Sequence, residues 1–391
     1  MAEARQGILI RVEETAGIRR FQYPVAAEVE LPQAVARDTC FRLLRGGEPV
    51  LAQVRAAEPG GAVARWWIDF PVDLLPYKSL GYELEYGDAP EGPGRKQGLK
   101  LIPSADRFRV ANEPHIAWTV PRDLGGLLQS VLAGEIEYFR PGPGGLLLRD
   151  ADGKDHPIGG GKNGVATNVS VTREGPLAIG LRFEIPEAGP ALAQVRSTVD
   201  LVFPVFKSWV EVDWRIQDPQ GKVRGAGARV QVNLDAPTPQ AATLIDYGAT
   251  GLVYLSLGPG QRSLLTGHAG AWQVLRGVPE RMEPFVFGPE RPDNPVRPEG
   301  WAHVMDRRRC LAVAVHRFAD AAEDRIAISA DGLTELHRPF PARVESAAAP
   351  KRLRFWLHCV PFPPQQTAAT SPQAMQNPVV TAVQDRAAPP R

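Results

Sequence analysis

The sequence has few cysteines, no long apolar run and almost no net charge, and each shortage excludes a class of protein. Cys40, Cys310 and Cys359 are the only cysteines in 391 residues, and no two have the Cys-x-x-Cys spacing of zinc or redox sites. No apolar run approaches the roughly 20 residues that span a bilayer, so no membrane partner is expected. Because 45 Lys and Arg balance 44 Asp and Glu, no net field would hold a nucleic acid.

Several common catalytic motifs are also missing. The sequence contains neither the Gly-x-Ser-x-Gly of serine hydrolases nor the His-Glu-x-x-His of zinc proteases, and its seven His include no close pair. We therefore expect no metal and no cofactor. An acidic run from Asp150 to Asp155 resembles part of a calcium loop but lacks the closing Glu. A solvated turn is the favoured interpretation, and a structural calcium ion stays open as the alternative.

Glycine and proline, by contrast, are plentiful. Each occurs 38 times, against ordinary shares of about 7% and 5%, which disfavours long helices and separates short segments of strand-like alternation. The sequence predicts an all-β chain with a small N-terminal β-barrel over residues 1–104 and a large antiparallel β-sandwich over 105–360. The Pro-rich tail at 361–391 is predicted to be either disordered or extended across the surface.

One short helix is predicted between the two β domains, over residues 123–132. Asp123 would be its N-cap, and the apolar residues that follow have helical spacing. The glycines at 125 and 126 weaken this prediction.

Two later segments alternate as strands and place aromatic residues among polar ones. Trp209 stands on the face opposite four apolar residues of 209–216, and Trp356 stands between Arg354 and His358 on the corresponding face of 353–359. We expect both faces to be exposed to solvent. An aromatic face packs against sugar C–H groups while Arg and His bond hydroxyl or carboxylate groups. The predicted carbohydrate-binding residues are Trp209, Trp301, Arg354, Trp356 and His358.

The run from Gly300 to Cys310 gathers indole, imidazole and guanidinium groups that suit sugar recognition. Trp301, His303, Arg308 and Arg309 all lie within it. From the residues alone, a tight turn with a core Trp and solvated arginines is the favoured interpretation.

Scattered short motifs resemble the rhamnogalacturonan exolyase-like polysaccharide lyases, with their small N-terminal β-barrel and central β-sandwich. That family typically continues into a C-terminal helical toroid, whereas this sequence ends in its Pro-rich tail, so much of the expected cleft wall would be missing. The resemblance covers about residues 7–360. The motifs that carry it are residues 17–25, 28–32 and 82–87 for the barrel, and 209–214, 218–219 and 300–317 for the sandwich.

The resemblance implies β-elimination chemistry on a uronate-containing glycan. Such a lyase needs a cation to neutralise the uronate carboxylate and a base to remove the proton at C5. We expect Arg308 or Arg309 in the first role and His303 or a Tyr in the second.

The sequence thus leads to three functional hypotheses. The first is a carbohydrate-binding or accessory protein whose partner is an acidic, pectin-like polysaccharide or oligosaccharide. The alternatives are a polysaccharide lyase, whose cleft a homo-oligomer or a partner chain would complete, and a non-catalytic structural or assembly protein. The expected location is cytoplasmic as the sequence is written, or periplasmic or secreted if a leader was removed.

Overall fold

The computed structural model describes residues 7–87, 98–160, 167–238, 241–249, 251–268, 271–285, 298–320, 323–341, 351–361, 363–364 and 371–385. Within these ranges, strands predominate and every strand pair in the sheets is antiparallel. The predicted all-β class is confirmed. In the same ranges, no helix is long and apolar enough to cross a membrane.

The N-terminal barrel is built from two sheets that share one apolar core. In one sheet β2, β6 and β5 are neighbours, and in the other β1, β7, β3 and β4 follow in that order. Alternation along β2 buries Val25, Ala27, Val29 and Leu31 in this core, as the sequence pattern predicts. The strands are β1 (Gly7–Glu13), β2 (Arg20–Ala36), β3 (Cys40–Arg45), β4 (Glu48–Val50), β5 (Gln53–Ala56), β6 (Ala62–Leu74) and β7 (Ser79–Gly87).

A third sheet follows and packs against the sandwich core rather than the barrel core. The rings of Trp118 in this sheet and Phe203 of the sandwich lie 5.2 Å apart. The boundary predicted at residue 104 falls after the first strand of this sheet, although that strand pairs with the second. The strands are β8 (Lys100–Pro103), β9 (Arg107–Asn112), β10 (Ile116–Pro121), β11 (Ser130–Ala133) and β12 (Ile136–Glu137).

The helix predicted over 123–132 is wrong, because this segment forms turns that lead into β11. The Asp123 carboxylate accepts a hydrogen bond from the Gly125 amide at 2.9 Å, and Leu124 and Leu127 have φ of 58° and 63°. A helix requires negative φ at every residue. The leucines still enter the sandwich core, so the spacing correctly indicated buried residues but not their conformation.

The large sandwich has an eight-stranded and a nine-stranded sheet with a common core. The strand orders are β14-β13-β19-β28-β27-β22-β23-β24 and β15-β16-β17-β18-β29-β26-β25-β20-β21. The strands are β13 (Gly145–Arg149), β14 (Asp155–Ile158), β15 (Asn168–Arg173), β16 (Ala178–Ile185), β17 (Arg196–Pro204), β18 (Trp209–Gln217), β19 (Gly225–Gln231), β20 (Thr243–Ala249), β21 (Gly251–Leu257), β22 (Arg262–His268), β23 (Ala271–Val278), β24 (Arg281–Pro284), β25 (Trp301–Met305), β26 (Arg309–Val315), β27 (Asp324–Ser329), β28 (Leu333–Pro339) and β29 (Lys351–Pro361).

The Pro-rich C-terminal segment is in part integral to the fold. It contains the short helix α1 (Pro372–Gln376) and the strand β30 (Val380–Asp385), which pairs with β1 and so becomes the edge of a barrel sheet. Met375 and Ala374 of α1 are buried in the core that the barrel shares with the sandwich surface. Part of the predicted tail is therefore extended, as one of the two alternatives expected, but it is paired with β1 and is preceded by a buried helix.

Candidate functional site

The barrel covers part of the outer face of the nine-stranded sheet, where the predicted sugar-binding residues lie. Trp209, Trp301, Trp356 and His358 are each at most 3% exposed. Tyr23 of the barrel packs against Trp209, with ring centroids 6.0 Å apart. The prediction that this face is solvent-exposed is wrong, because alternation distinguishes two faces without revealing what covers them. Of the predicted set, Arg354 retains an accessible side chain, at 19% exposure.

The three predicted catalytic residues do not meet. His303 faces the barrel, is 2% exposed and places Nδ1 2.7 Å from the Asp246 carboxylate. Arg309 alternates onto the sandwich-core side of its sheet, where it donates to the Asp306 carboxylate at 2.6 Å. Arg308 is exposed at the turn between the strands. No single ligand could contact His303 and both arginines.

Two buried polar side chains, Lys207 and His358, lie at the contact between barrel and sandwich and help to hold it together. Lys207 donates from Nζ to the Phe21 carbonyl oxygen of the barrel at 2.7 Å, and burial lowers the pKa of its ammonium to about 8. His358 lies 3.1 Å from the Ser208 hydroxyl through Nε2. Burial, reinforced by the charge on Lys207, lowers the pKa of His358 to about 3. The imidazole is therefore neutral at neutral pH and serves the contact between barrel and sandwich.

An open cleft of about 410 Å³ borders this interface. Its lining comes from β2 and β6 of the barrel, from β18, β29 and the region of β15–β17 in the sandwich, and from residues 378–381. Its aromatic and charged lining consists of Tyr23, Trp67, Asp69, Arg173, Trp209, Glu211, Arg352, Arg354 and Trp356.

The barrel contributes a half-buried tryptophan to the cleft, and this residue lies beside one guanidinium group from the barrel and one from the sandwich. Alternation along β6 turns Trp67 and Asp69 outward, and the guanidinium carbons of Arg55 and Arg173 lie 5.3 and 5.7 Å from the Trp67 ring centroid. Asp69 is 3% exposed. Its carboxylate lies 3.4 Å from Nε of Arg55 and accepts a hydrogen bond from Arg173 at 3.0 Å. Arg55 and Arg173 thus share the Asp69 carboxylate, and both guanidinium groups lie close to the Trp67 ring.

The sandwich wall supplies further arginines, each held by a carboxylate on the neighbouring strand. Arg354 donates to Glu211 at 2.7 Å and its guanidinium lies 4.9 Å from the ring centroid of Trp356. Arg352 donates two hydrogen bonds to Asp213, at 2.6 and 3.0 Å. These pairs fix the planes of the guanidinium groups at the cleft rim, which suits recognition of planar carboxylates.

The acidic loop considered as a calcium site uses its carboxylates within the protein. Asp150 accepts hydrogen bonds from the amides of Asp152 and Lys154, both at 2.9 Å, and contacts His156 at 2.7 Å. Asp155 pairs with Arg149 at 2.8 Å. In the part of the chain that the structure describes, no group of three His, Cys, Asp or Glu side chains could hold a metal ion. The three cysteines are unpaired.

Trp67, Asp69 and Arg173 were not among the site residues predicted from the sequence. The alternation of residues 62–74 contained a signal for two of them, since Trp67 and Asp69 fall opposite the apolar Ile68 and Phe70. Nothing in the pattern indicated that Arg173, 104 residues further along, would approach Asp69 from another sheet.

Comparison with known proteins shows a shared fold. No family model and no curated protein sequence matches the chain. The fold is similar to that of a glycosyl hydrolase family 38 protein from Enterococcus faecalis, with a TM-score of 0.59 and 10% identity over 98% of this chain and 48% of that one. It is also similar to an α-mannosidase from Enterococcus faecalis V583, with a TM-score of 0.57 and 12% identity over 97% of this chain and 46% of that one. The chain therefore spans about half the length of these structures.

Proposed function

We propose that this protein binds carbohydrate in the cleft between barrel and sandwich, as a binding or accessory protein for an acidic, pectin-like glycan. The observation that carries the proposal is the half-buried Trp67, whose ring lies close to the guanidinium groups of Arg55 and Arg173. Its indole face would pack against the C–H groups of a sugar ring, and flanking guanidinium groups would bond hydroxyl or carboxylate oxygens.

The size and charge of the cleft support a short stretch of acidic glycan. A volume of about 410 Å³ lies in the range of about 300–1,000 Å³ that holds small ligands. Arg173, Arg352 and Arg354 face Asp69 and Glu211 in the lining, so the lining has one more cation than anions. The fold similarity to an α-mannosidase is consistent with a sugar ligand. That this protein binds a sugar is part of our proposal.

Polysaccharide lyase activity is less well supported by the geometry. Among the described residues that line the cleft there is no His, and Tyr23 is the one Tyr. Burial raises the pKa of the Tyr23 phenol to about 12, so it is protonated at neutral pH and is a poor base. The resemblance to rhamnogalacturonan exolyase-like lyases therefore supports the proposed class of ligand more than it supports lyase activity.

Native affinity electrophoresis tests the proposal, in gels cast with rhamnogalacturonan, homogalacturonan, alginate or a neutral glucan. We expect acidic glycans to retard the protein. We also expect Trp67→Ala to raise the Kd about fivefold or more, since truncating a central Trp typically costs more than about 1 kcal/mol. Tyr254→Ala is the matched control, because Tyr254 is a 45% exposed aromatic outside the cleft.

Each outcome is informative. Equal retardation of wild type and Trp67→Ala would contradict the assigned cleft, and retardation by the neutral glucan alone would contradict acidic specificity. Cleared zones in gels stained for polymer would favour the lyase. Unretarded migration in every gel would favour a structural or assembly protein.

A further inference from the structure

A second groove, of about 300 Å³, lies on the outer face of the eight-stranded sheet. This face points away from the sandwich core, and the barrel cleft shares no lining residue with it. The lining mixes apolar residues, which include Leu147, Leu264 and Ala327, with charged ones. Such a mixture suits a ligand with both C–H and charged surfaces.

The charged residues that line the groove include more arginines than carboxylates. Three arginines share two carboxylates: Arg149 pairs with Asp155 at 2.8 Å, and Arg229 contacts both Asp155 at 3.2 Å and Glu335 at 2.5 Å. Arg262 completes the series with a single contact to Glu335 at 3.4 Å. Its side chain is 30% exposed, and a guanidinium has five N–H donors, of which this contact uses one.

A fourth cation, Arg325, adds to this excess from the neighbouring row of the sheet. Its pair with Glu323, at 3.1 Å, joins side chains that are 44% and 46% exposed. An ion pair this exposed contributes little, about 0–1 kcal/mol. An incoming anion could therefore replace Glu323 as the partner of Arg325 at small cost.

A polar group without a partner lies in the floor of the groove. His337 stands beside Arg325 and opposite Gly227, and neither of its ring nitrogens has a hydrogen-bond partner among the described residues. The ring leans over Gly225, where an added Cβ would lie 2.7 Å from Nε2. Burial, with Arg149 and Arg325 next in importance, lowers the pKa of His337 to about 4. The absence of a side chain at Gly225 thus leaves room for a buried, neutral imidazole beneath the groove.

We propose that this groove is a second ligand site, which binds a small oxyanion, a carboxylate or phosphate on a sugar-sized molecule, through Arg262. Arg325, four residues further along the neighbouring strand, contacts another part of the ligand. The apolar residues of the groove pack against the body of the ligand. The proposal is independent of the barrel cleft, since the two sites share no residue.

Isothermal titration calorimetry at low ionic strength tests this site with glucuronate, glucose 6-phosphate, inorganic phosphate and glucose. We expect the charged ligands to bind, glucose to give no heat, and added salt to weaken binding. Arg262→Gln should weaken binding about tenfold or more, as expected for loss of a charged hydrogen bond. Arg325→Gln is a second variant in case the first fails to fold. Arg11→Gln is the matched control, because it removes an exposed barrel arginine and should change nothing.

The ligands also separate two sources of the anion. If inorganic phosphate binds as tightly as glucose 6-phosphate, the site takes a free anion, whereas tighter binding of the sugar derivative means that the sugar is recognised as well. Both results support an oxyanion site. Absence of heat with every anion, or equal affinities of Arg262→Gln and Arg11→Gln, would overturn it. Trp67→Ala should leave these affinities unchanged, so failure of this proposal and of the glycan cleft can be told apart.

Discussion

Replacing Arg20 with Met should release the C-terminal segment from the barrel. Arg20 is 1% exposed and donates to the carbonyl oxygens of Ala374 and Asn377 at 2.6 and 2.5 Å. It also pairs with the Glu14 carboxylate at 2.9 Å. One guanidinium therefore ties the first residue of β2 to the middle of α1 and to the residue that follows this helix.

The magnitude follows from what the substitution leaves behind. Glu14, itself 1% exposed, would keep hydrogen bonds from the amides of Ala16, Ile18 and Tyr77 but would lose its countercharge. Breaking a buried ion pair in this way typically costs about 3–5 kcal/mol. Since Met retains much of the volume of Arg, we assign the destabilisation to charge and lost hydrogen bonds rather than to a cavity.

Urea unfolding of the full chain, with limited proteolysis of the C-terminal segment, measures this effect. We expect Arg20→Met to lower the free energy of the first unfolding transition by about 3–5 kcal/mol and to make residues after 370 susceptible to cleavage. Arg37→Met is the control, because Arg37 also donates to two backbone carbonyls but is exposed, so it should cost less than about 1 kcal/mol. Equal losses in the two variants, or a loss below about 1 kcal/mol for Arg20→Met, would refute the reasoning.

Two further predictions concern acid stability and the sheet edge. His337 and His358 have folded pKa values of about 4 and 3, below the ordinary value of about 6.5, so the unfolded chain binds more protons and stability falls as the pH drops below about 6.5. His337→Gln and His358→Gln should each reduce the slope of unfolding free energy against pH by up to about 1.4 kcal/mol per pH unit, and an unchanged slope would contradict this assignment. Deleting residues 371–391 removes β30 and uncovers the edge of β1, so the shortened protein should self-associate in size-exclusion chromatography with light scattering, and a strictly monomeric product would contradict the capping role.

The sequence was most informative about strands and least informative about what covers them. The predicted inward face of β18, with Val210, Val212, Trp214 and Ile216, is completely buried. The same pattern could not show that Trp209, on the other face, lies under the barrel. Period-two alternation reports a difference between two faces, whereas burial of the second depends on a domain contact with no local signal.

The C-terminal segment illustrates a similar limit. Its composition correctly indicated that it could not build a core of its own. In the structure, Met375 enters a core built by other parts of the chain, and Gln376 donates to the carbonyl oxygens of Gly300 and Val315 at 2.7 and 2.9 Å. Composition measures the capacity to fold alone, which does not limit a segment that completes an existing surface.

The near-zero net charge describes the whole chain and does not describe the charge around one groove. It argues against a long polyanion held by a field over the whole surface, but a small anion responds to charges within about a Debye length, roughly 8–10 Å at moderate salt. At that scale the groove around His337 has Arg149, Arg229, Arg262 and Arg325 against Asp155, Glu335 and the neighbouring Glu323, which leaves one cation in excess. A chain that is neutral overall can therefore recognise acidic ligands wherever cross-strand pairing leaves one guanidinium without a full countercharge.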